Sequence, residues 1–140
     1  MAAFVKYNAY IDEIAKAGHN HATAVFKLAL TNTAPGAGDT VWNTTVAPAP
    51  AAANGYPAGG NTLTTTSAVT TAGVFKLVLV DTVFTATAGG IGPFRYAILY
   101  NSSATNKVLG YYDYASSISL ADTETFTTDF DATNGVLTIA

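Results

Sequence analysis

From Thr23 to the C-terminus the chain is cut into short apolar runs by Gly, Pro, Asn and Asp, and this punctuation leaves room for little but a mainly β fold. A strand needs only about five or six residues, whereas a packed helix needs about ten or more, so runs this short are strand material. Residues 24–30 form the first run, closed by Thr31-Asn32-Thr33-Ala34-Pro35. Residues 63–69 alternate weakly. Residues 74–80 are almost continuously apolar, the pattern of a strand covered on both faces. Residues 83–87 follow a kink at Asp81, and Gly89, Gly90, Gly92 and Pro93 break the chain before the strand predicted over 94–100. A polar turn at 101–106 leads to strands over 108–114, 117–120 and 124–130. Asn134-Gly135, between 124–130 and the apolar pair Leu137 and Ile139, is the strongest hairpin signal in the chain. Turns at this spacing predict an antiparallel β-sandwich or small barrel.

Two segments stand outside this pattern. Phe4, Tyr7, Ile11 and Ile14 recur at helical spacing, with Asp12 and Lys16 four residues apart. This predicts one amphipathic helix over 3–17, stopped by Gly18, so that residues 1–18 form an N-terminal arm. Residues 34–61 hold Pro35, Pro48, Pro50 and Pro57, all but one of the prolines, together with Trp42, the only tryptophan. A loop that long inside one small domain is expected to be functional or docked on something. At 140 residues and 14.4 kDa, a single domain over 1–140 is expected.

Charge bears on the partners. Only 11% of the residues are charged, against roughly 25% in ordinary soluble domains, while 49% are hydrophobic and mean hydropathy is +0.27. The surface is therefore made largely of Thr, Ser, Asn, Gly and Ala, which shed water cheaply and favour contact with neighbouring subunits. The formal charge is −3, and the six basic residues, Lys6, Lys16, Lys27, Lys76, Arg95 and Lys107, are scattered, so phosphate recognition has no cluster to rest on and no nucleic-acid partner is expected. No stretch reaches the length of a membrane span, no secretory leader is visible, and cysteine is absent.

Catalytic and metal readings are weak throughout. His19 and His21 invite a metal, but with no further His and no Cys a site would need distant carboxylates, and a polar helix-to-strand connection explains them as well. Serines are available for a triad, yet no Gly-x-Ser-x-Gly elbow is present. Asp122 with Glu124 and Asp129 with Asp131 have strand spacing that would place each pair on one face; in an acid-poor chain these are expected to solvate strand ends. Gly89-Gly90-Ile91-Gly92 lacks the lysine and following helix of a phosphate loop and reads as a turn requiring positive φ. Tyr111, Tyr112, Tyr114 and Trp42 are an aromatic inventory for stacking on sugars. No enzyme activity, cofactor or metal is expected.

Four stretches, LALTNTAP at 28–35, NGYPAGG at 54–60, IGPFRYAILYN at 91–101 and GYYDYASSISLADTETFTTDFDATNGVLTIA at 110–140, resemble in that order a family of short tailed-phage proteins encoded near the major capsid protein gene. The resemblance spans nearly the whole chain and implies a virion structural protein, a capsid decoration or cement protein that binds the outside of the head shell. The implied partners are the major capsid protein and other copies of the chain, and the implied location is the virion. A fibre or receptor-binding module touching host glycans through Trp42 or Tyr112 is the alternative. The N-terminal arm and the loop at 36–60 are the expected contact elements, with Phe4, Tyr7, Ile11, Trp42, Pro48, Pro50 and Tyr56 as candidate contacts and a homo-oligomer, a trimer in the simplest case, as the expected assembly.

Overall fold

A computed structural model describes residues 2–43, 50 and 52–140. In chain order the elements are β1 (Phe4–Lys6), α1 (Asn8–Ala15), β2 (Phe26–Thr31), β3 (Asn61–Thr62), β4 (Thr65–Thr71), β5 (Val74–Leu79), β6 (Thr82–Thr85), β7 (Ile91–Asn101), β8 (Lys107–Leu120), β9 (Thr125–Thr128) and β10 (Leu137–Ile139). The fold is mainly β with antiparallel pairing throughout, and it is sandwich-like rather than a closed barrel. A five-stranded sheet runs β1-β8-β7-β2-β3, a three-stranded sheet β10-β5-β4, and β6 pairs with β9.

The β7–β8 hairpin organises the large sheet. Its turn is set locally: the Asn101 side chain accepts a hydrogen bond from the Ser103 amide at 3.0 Å, and Thr105 and Asn106 take left-handed backbone, φ 53° and 58°. β2 then docks on β7 in register from Phe26↔Asn101 to Thr31↔Tyr96. Phe26, Leu28, Leu30 and Leu99 are fully buried, and side chains on their side of the sheet meet the smaller sheets, as in the Tyr112–Phe130 contact at 6.2 Å. The opposite face, with Ala29, Ile98 and Tyr100, is buried as well. Trp42 stacks on Tyr100 at 6.0 Å, and Tyr7 packs on Tyr111 at 5.3 Å. Covering both faces is why β2 and much of β7 read as unbroken apolar sequence.

Several expectations are corrected by this arrangement. The helix over 3–17 is shorter: residues 4–6 pair with β8, the Phe4 ring sits against Gly110, and the Tyr7 amide donates to the Leu109 carbonyl at 3.1 Å. Three rungs on an open sheet edge and an aromatic seat over a glycine outweigh one further helical turn in an uncapped helix. Helix α1 is anchored by Tyr10, which is wholly buried, while Ile11 is 55% exposed. Ala17 rather than Gly18 takes positive φ at the helix end, with the Gly18 amide reaching back to the Glu13 carbonyl at 2.6 Å.

β7 runs straight through Gly92-Pro93 with bulges instead of starting after them. The two strands expected over 108–114 and 117–120 are one, β8, bent at Ala115 (φ 68°), whose amide donates to Asp113 Oδ1 at 2.8 Å. β5 is covered on both faces only over Leu77–Leu79, because Val74 is 38% exposed and Phe75 and Lys76 are half-buried. Asn134-Gly135 does not close a hairpin. It turns the chain between sheets, since β9 pairs with β6 and β10 with β5.

Candidate functional site

The residues expected to make outside contacts fall into two groups. Tyr7, Trp42 and Tyr56 are interior, 4%, 4% and 3% exposed, and Phe4 is half-buried. The Tyr56 hydroxyl accepts from the Leu30 amide at 3.0 Å, replacing a strand partner beyond the end of β3, and burial pushes its pKa up to about 12. Ile11 is exposed, Pro50 is half-buried, and Pro48 lies outside the described residues. The described flanks of the long loop are thus a cover for the large sheet. Tyr100 Oη donates to the Gly59 carbonyl at 2.8 Å and Lys27 Nζ to the Ala58 carbonyl at 3.1 Å, tying that cover down. Trp42 and Tyr112 are buried, so neither presents a ring face to a sugar.

His19 and His21 lie together beneath α1, with ring centroids 5.6 Å apart. His21 Nε2 is 3.0 Å from the Tyr10 hydroxyl. His19 Nδ1 is 3.3 Å from Asn101 Nδ2, and because Asn101 Oδ1 is already engaged by Ser103, the amide nitrogen is the end facing the ring, which puts the imidazole proton on Nε2. That Nε2 is buried with no hydrogen-bond partner among the described residues. Burial, reinforced by the neighbouring His21, lowers the His19 pKa to about 4, and burial lowers that of His21. No set of three metal-ligating side chains converges among the described residues.

None of the four paired carboxylates lies in a strand, and Asp122, Glu124 and Asp131 cap turns. Asp122 Oδ1 accepts from the Ala88 amide at 2.8 Å and Glu124 Oε2 from the Ala121 amide at 2.7 Å. Asp131 accepts from the amides of Thr133 and Asn134 and from Asn134 Nδ2, bonds that hold its pKa below the usual carboxylate range. Gly89 and Gly90 have positive φ, as a turn there requires, whereas Gly92 takes positive φ inside β7 at a bulge, and a side chain at Gly90 would collide with the Leu120 carbonyl.

The feature with the clearest external meaning is one that sequence reasoning passed over. Among the described residues, the sheets end in β1, β3, β10, β4, β6 and β9. Five of these edges are two to four residues long, and shortness is a standard protection against pairing with another chain. β4 is seven residues, TTSAVTT, with neither charge nor proline. Its one protective device is a bulge between Thr65 and Ser67, beyond which Ser67–Thr71 pair regularly with β5. The outer face of this hairpin is a shallow groove of about 480 Å³ lined by Ser67, Val69, Thr71, Val74, Lys76 and Val78 among others, with Val69 55% exposed. The weak alternation over 63–69 was the available signal, since it marks a strand with little to bury.

No family model, curated protein or solved structure matches the chain.

Proposed function

We propose that this chain is a structural protein of a tailed-phage virion, one that decorates the outside of the head shell in many copies and binds the major capsid protein and its own kind. The observation that carries the reading is the β4–β5 hairpin: a long, uncharged edge with a Val- and Thr-lined outer face, on a chain with few ions anywhere. A surface of this kind desolvates cheaply over broad areas, which suits a subunit that holds a lattice by repeated shallow contact. The resemblance of residues 28–35, 54–60, 91–101 and 110–140 to short tailed-phage proteins falls on β2, the chain leading into β3, β7, β8 and the segment that follows, which is strand framework and its cover, so it supports a shared framework more than a shared binding residue.

Copy number is the test. Quantitative mass spectrometry of purified particles is expected to find the chain at a stoichiometry approaching that of the major capsid protein. A few tens of copies per particle would place it in a fibre instead, and absence from particles would end the reading.

A further inference from the structure

We infer that β4 is a self-pairing edge: two copies of the chain join their β4 strands antiparallel about a two-fold axis at Val69, making one six-stranded sheet in the order β10-β5-β4-β4-β5-β10. The inference rests on the reading of this hairpin as an assembly surface and names its partner as a second copy.

Backbone geometry fixes the register. The β4–β5 turn has two residues, Ala72 (φ 50°) and Gly73 (φ 81°), between the paired Thr71 and Val74. In such a turn the closing pair is hydrogen-bonded, so by alternation Thr71, Val69 and Ser67 bond towards β5. Ala68 and Thr70 are left with their amides and carbonyls on the open side. A two-fold at Val69 sets Ala68 opposite Thr70 of the second copy, and the reverse, closing both pairs of backbone bonds. Val69 then faces its own equivalent in the non-hydrogen-bonded position, where side chains come closest.

The side chains fit the same axis. On the outer face Ser67 meets Thr71 of the other copy on either side of the central valine pair, and hydroxyl–hydroxyl and β-branched pairs are favourable neighbours across strands. No ionisable group lies in β4, so apposing it with itself opposes no like charges. The nearest cation on that face, Lys76, belongs to β5 and is held by the Thr133 carbonyl at 2.8 Å. Its equivalent would be three strand spacings away, about 14 Å, beyond the range of strong repulsion at physiological salt. An extended strand from a different protein would gain the same backbone bonds, but nothing in TTSAVTT selects one, whereas the segment is complementary to itself.

Five paired residues make a small interface, so the dimer forms at high concentration and is reinforced where copies are held side by side. The chain has no cysteine, which allows a sensitive trap. Val69→Cys is expected to give a disulfide-linked dimer under mild oxidation, because a non-hydrogen-bonded pair brings the Cα atoms to about 4.5 Å, within disulfide reach. Val83→Cys, on an exposed valine of β6, is expected not to. By sedimentation, Val69→Lys is expected to raise the dissociation constant at least about tenfold by placing like charges face to face, while Val83→Lys leaves it unchanged.

If Val69→Cys cross-links no better than Val83→Cys, or Val69→Lys leaves a dimer intact, self-pairing is wrong. A wild-type chain that stays monomeric up to about 1 mM, weaker than most specific contacts, overturns it too. If it is monomeric and Val69→Lys is lost from particles, the edge takes a strand of another virion protein. A dimer broken by Val69→Lys in a chain absent from particles would sink the virion role and leave the edge standing.

Discussion

Acid should loosen this protein in a window set by its two histidines. His19 is folded into a site that favours the neutral ring, with a pKa of about 4 against 6.5 when free. Between those values the unfolded chain binds a proton that the folded chain does not, so stability is complete above pH 6.5, falls as pH drops, has lost most of the His19 contribution by about pH 4 and loses the remainder below it. A shift of about 2.5 units corresponds to at most about 3.4 kcal/mol, of which about 2.5 is gone by pH 4.5; solvent at the rim of the cluster screens part of this and leaves about 1 to 2.5 kcal/mol. His21 pulls the same way. Glu13 opposes the shift and Lys107 adds to it, and the two are ion-paired beside the ring. The hydrogen bonds to Asp113 and Asp131 hold their carboxyls below the usual carboxylate range, so their losses come at lower pH. Trp42, the only tryptophan and buried against Tyr100, reports unfolding by its fluorescence. Urea melts at pH 7.5 and 4.5 should differ by this amount in the wild type and by much less in His19→Gln/His21→Gln. Equal midpoints at the two pH values in the wild type, or an undiminished slope in the double variant, would refute the burial argument.

Two further outcomes follow from the cover over the large sheet. Trp42→Ala is expected to cost about 3 to 5 kcal/mol in denaturant unfolding followed by far-ultraviolet circular dichroism, the range for truncating a buried aromatic residue; a change under about 1 kcal/mol would mean that the loop is not a cover. Gly60→Ala should cost at least about 2 kcal/mol by the same measurement, because Gly60 has φ 84° and a side chain there would overlap the Leu28 carbonyl.

What the sequence disclosed, and what it did not, divides by the range of the interactions involved. Strand cores were legible where both faces are covered, as in Phe26–Thr31 and residues 96–100, because burial on two sides leaves a nearly continuous apolar trace. The helix boundary was misread because Phe4 and Val5 fit a helical stripe and a strand equally well; the choice was made by Gly110, far along the chain, offering a seat for the Phe4 ring. The role of Trp42, Tyr7 and Tyr56 was hidden for the same reason. A Pro- and Ala-rich loop and an N-terminal stripe look like arms until Tyr100 and Leu30 are found beneath the described flanks of the one and Tyr111 beneath Tyr7 of the other. Asn134-Gly135 carries the local chemistry of a hairpin turn, but which strands it joins depends on pairing between segments some 60 residues apart, Leu137 with Leu77. β4 was visible as a strand and invisible as an edge, because strand order is not written in local pattern.

The remaining surface supports the assembly reading on entropic grounds. The exposed large hydrophobic residues among those described are Val5, Ile11, Val25, Val41, Val69, Val74, Val80 and Val83, every one of them β-branched, while the aromatic residues are buried or half-buried. Branching at Cβ leaves few side-chain rotamers to lose, and threonine, which fills much of β4, shares that stiffness. Ordering a flexible side chain at an interface costs about 0.5 to 1.5 kcal/mol, and surfaces rich in Lys, Glu or Met incur it many times over. A face of Val and Thr avoids most of that cost, so even small contacts retain a net gain, and repetition across a shell can add such gains without any single contact being strong.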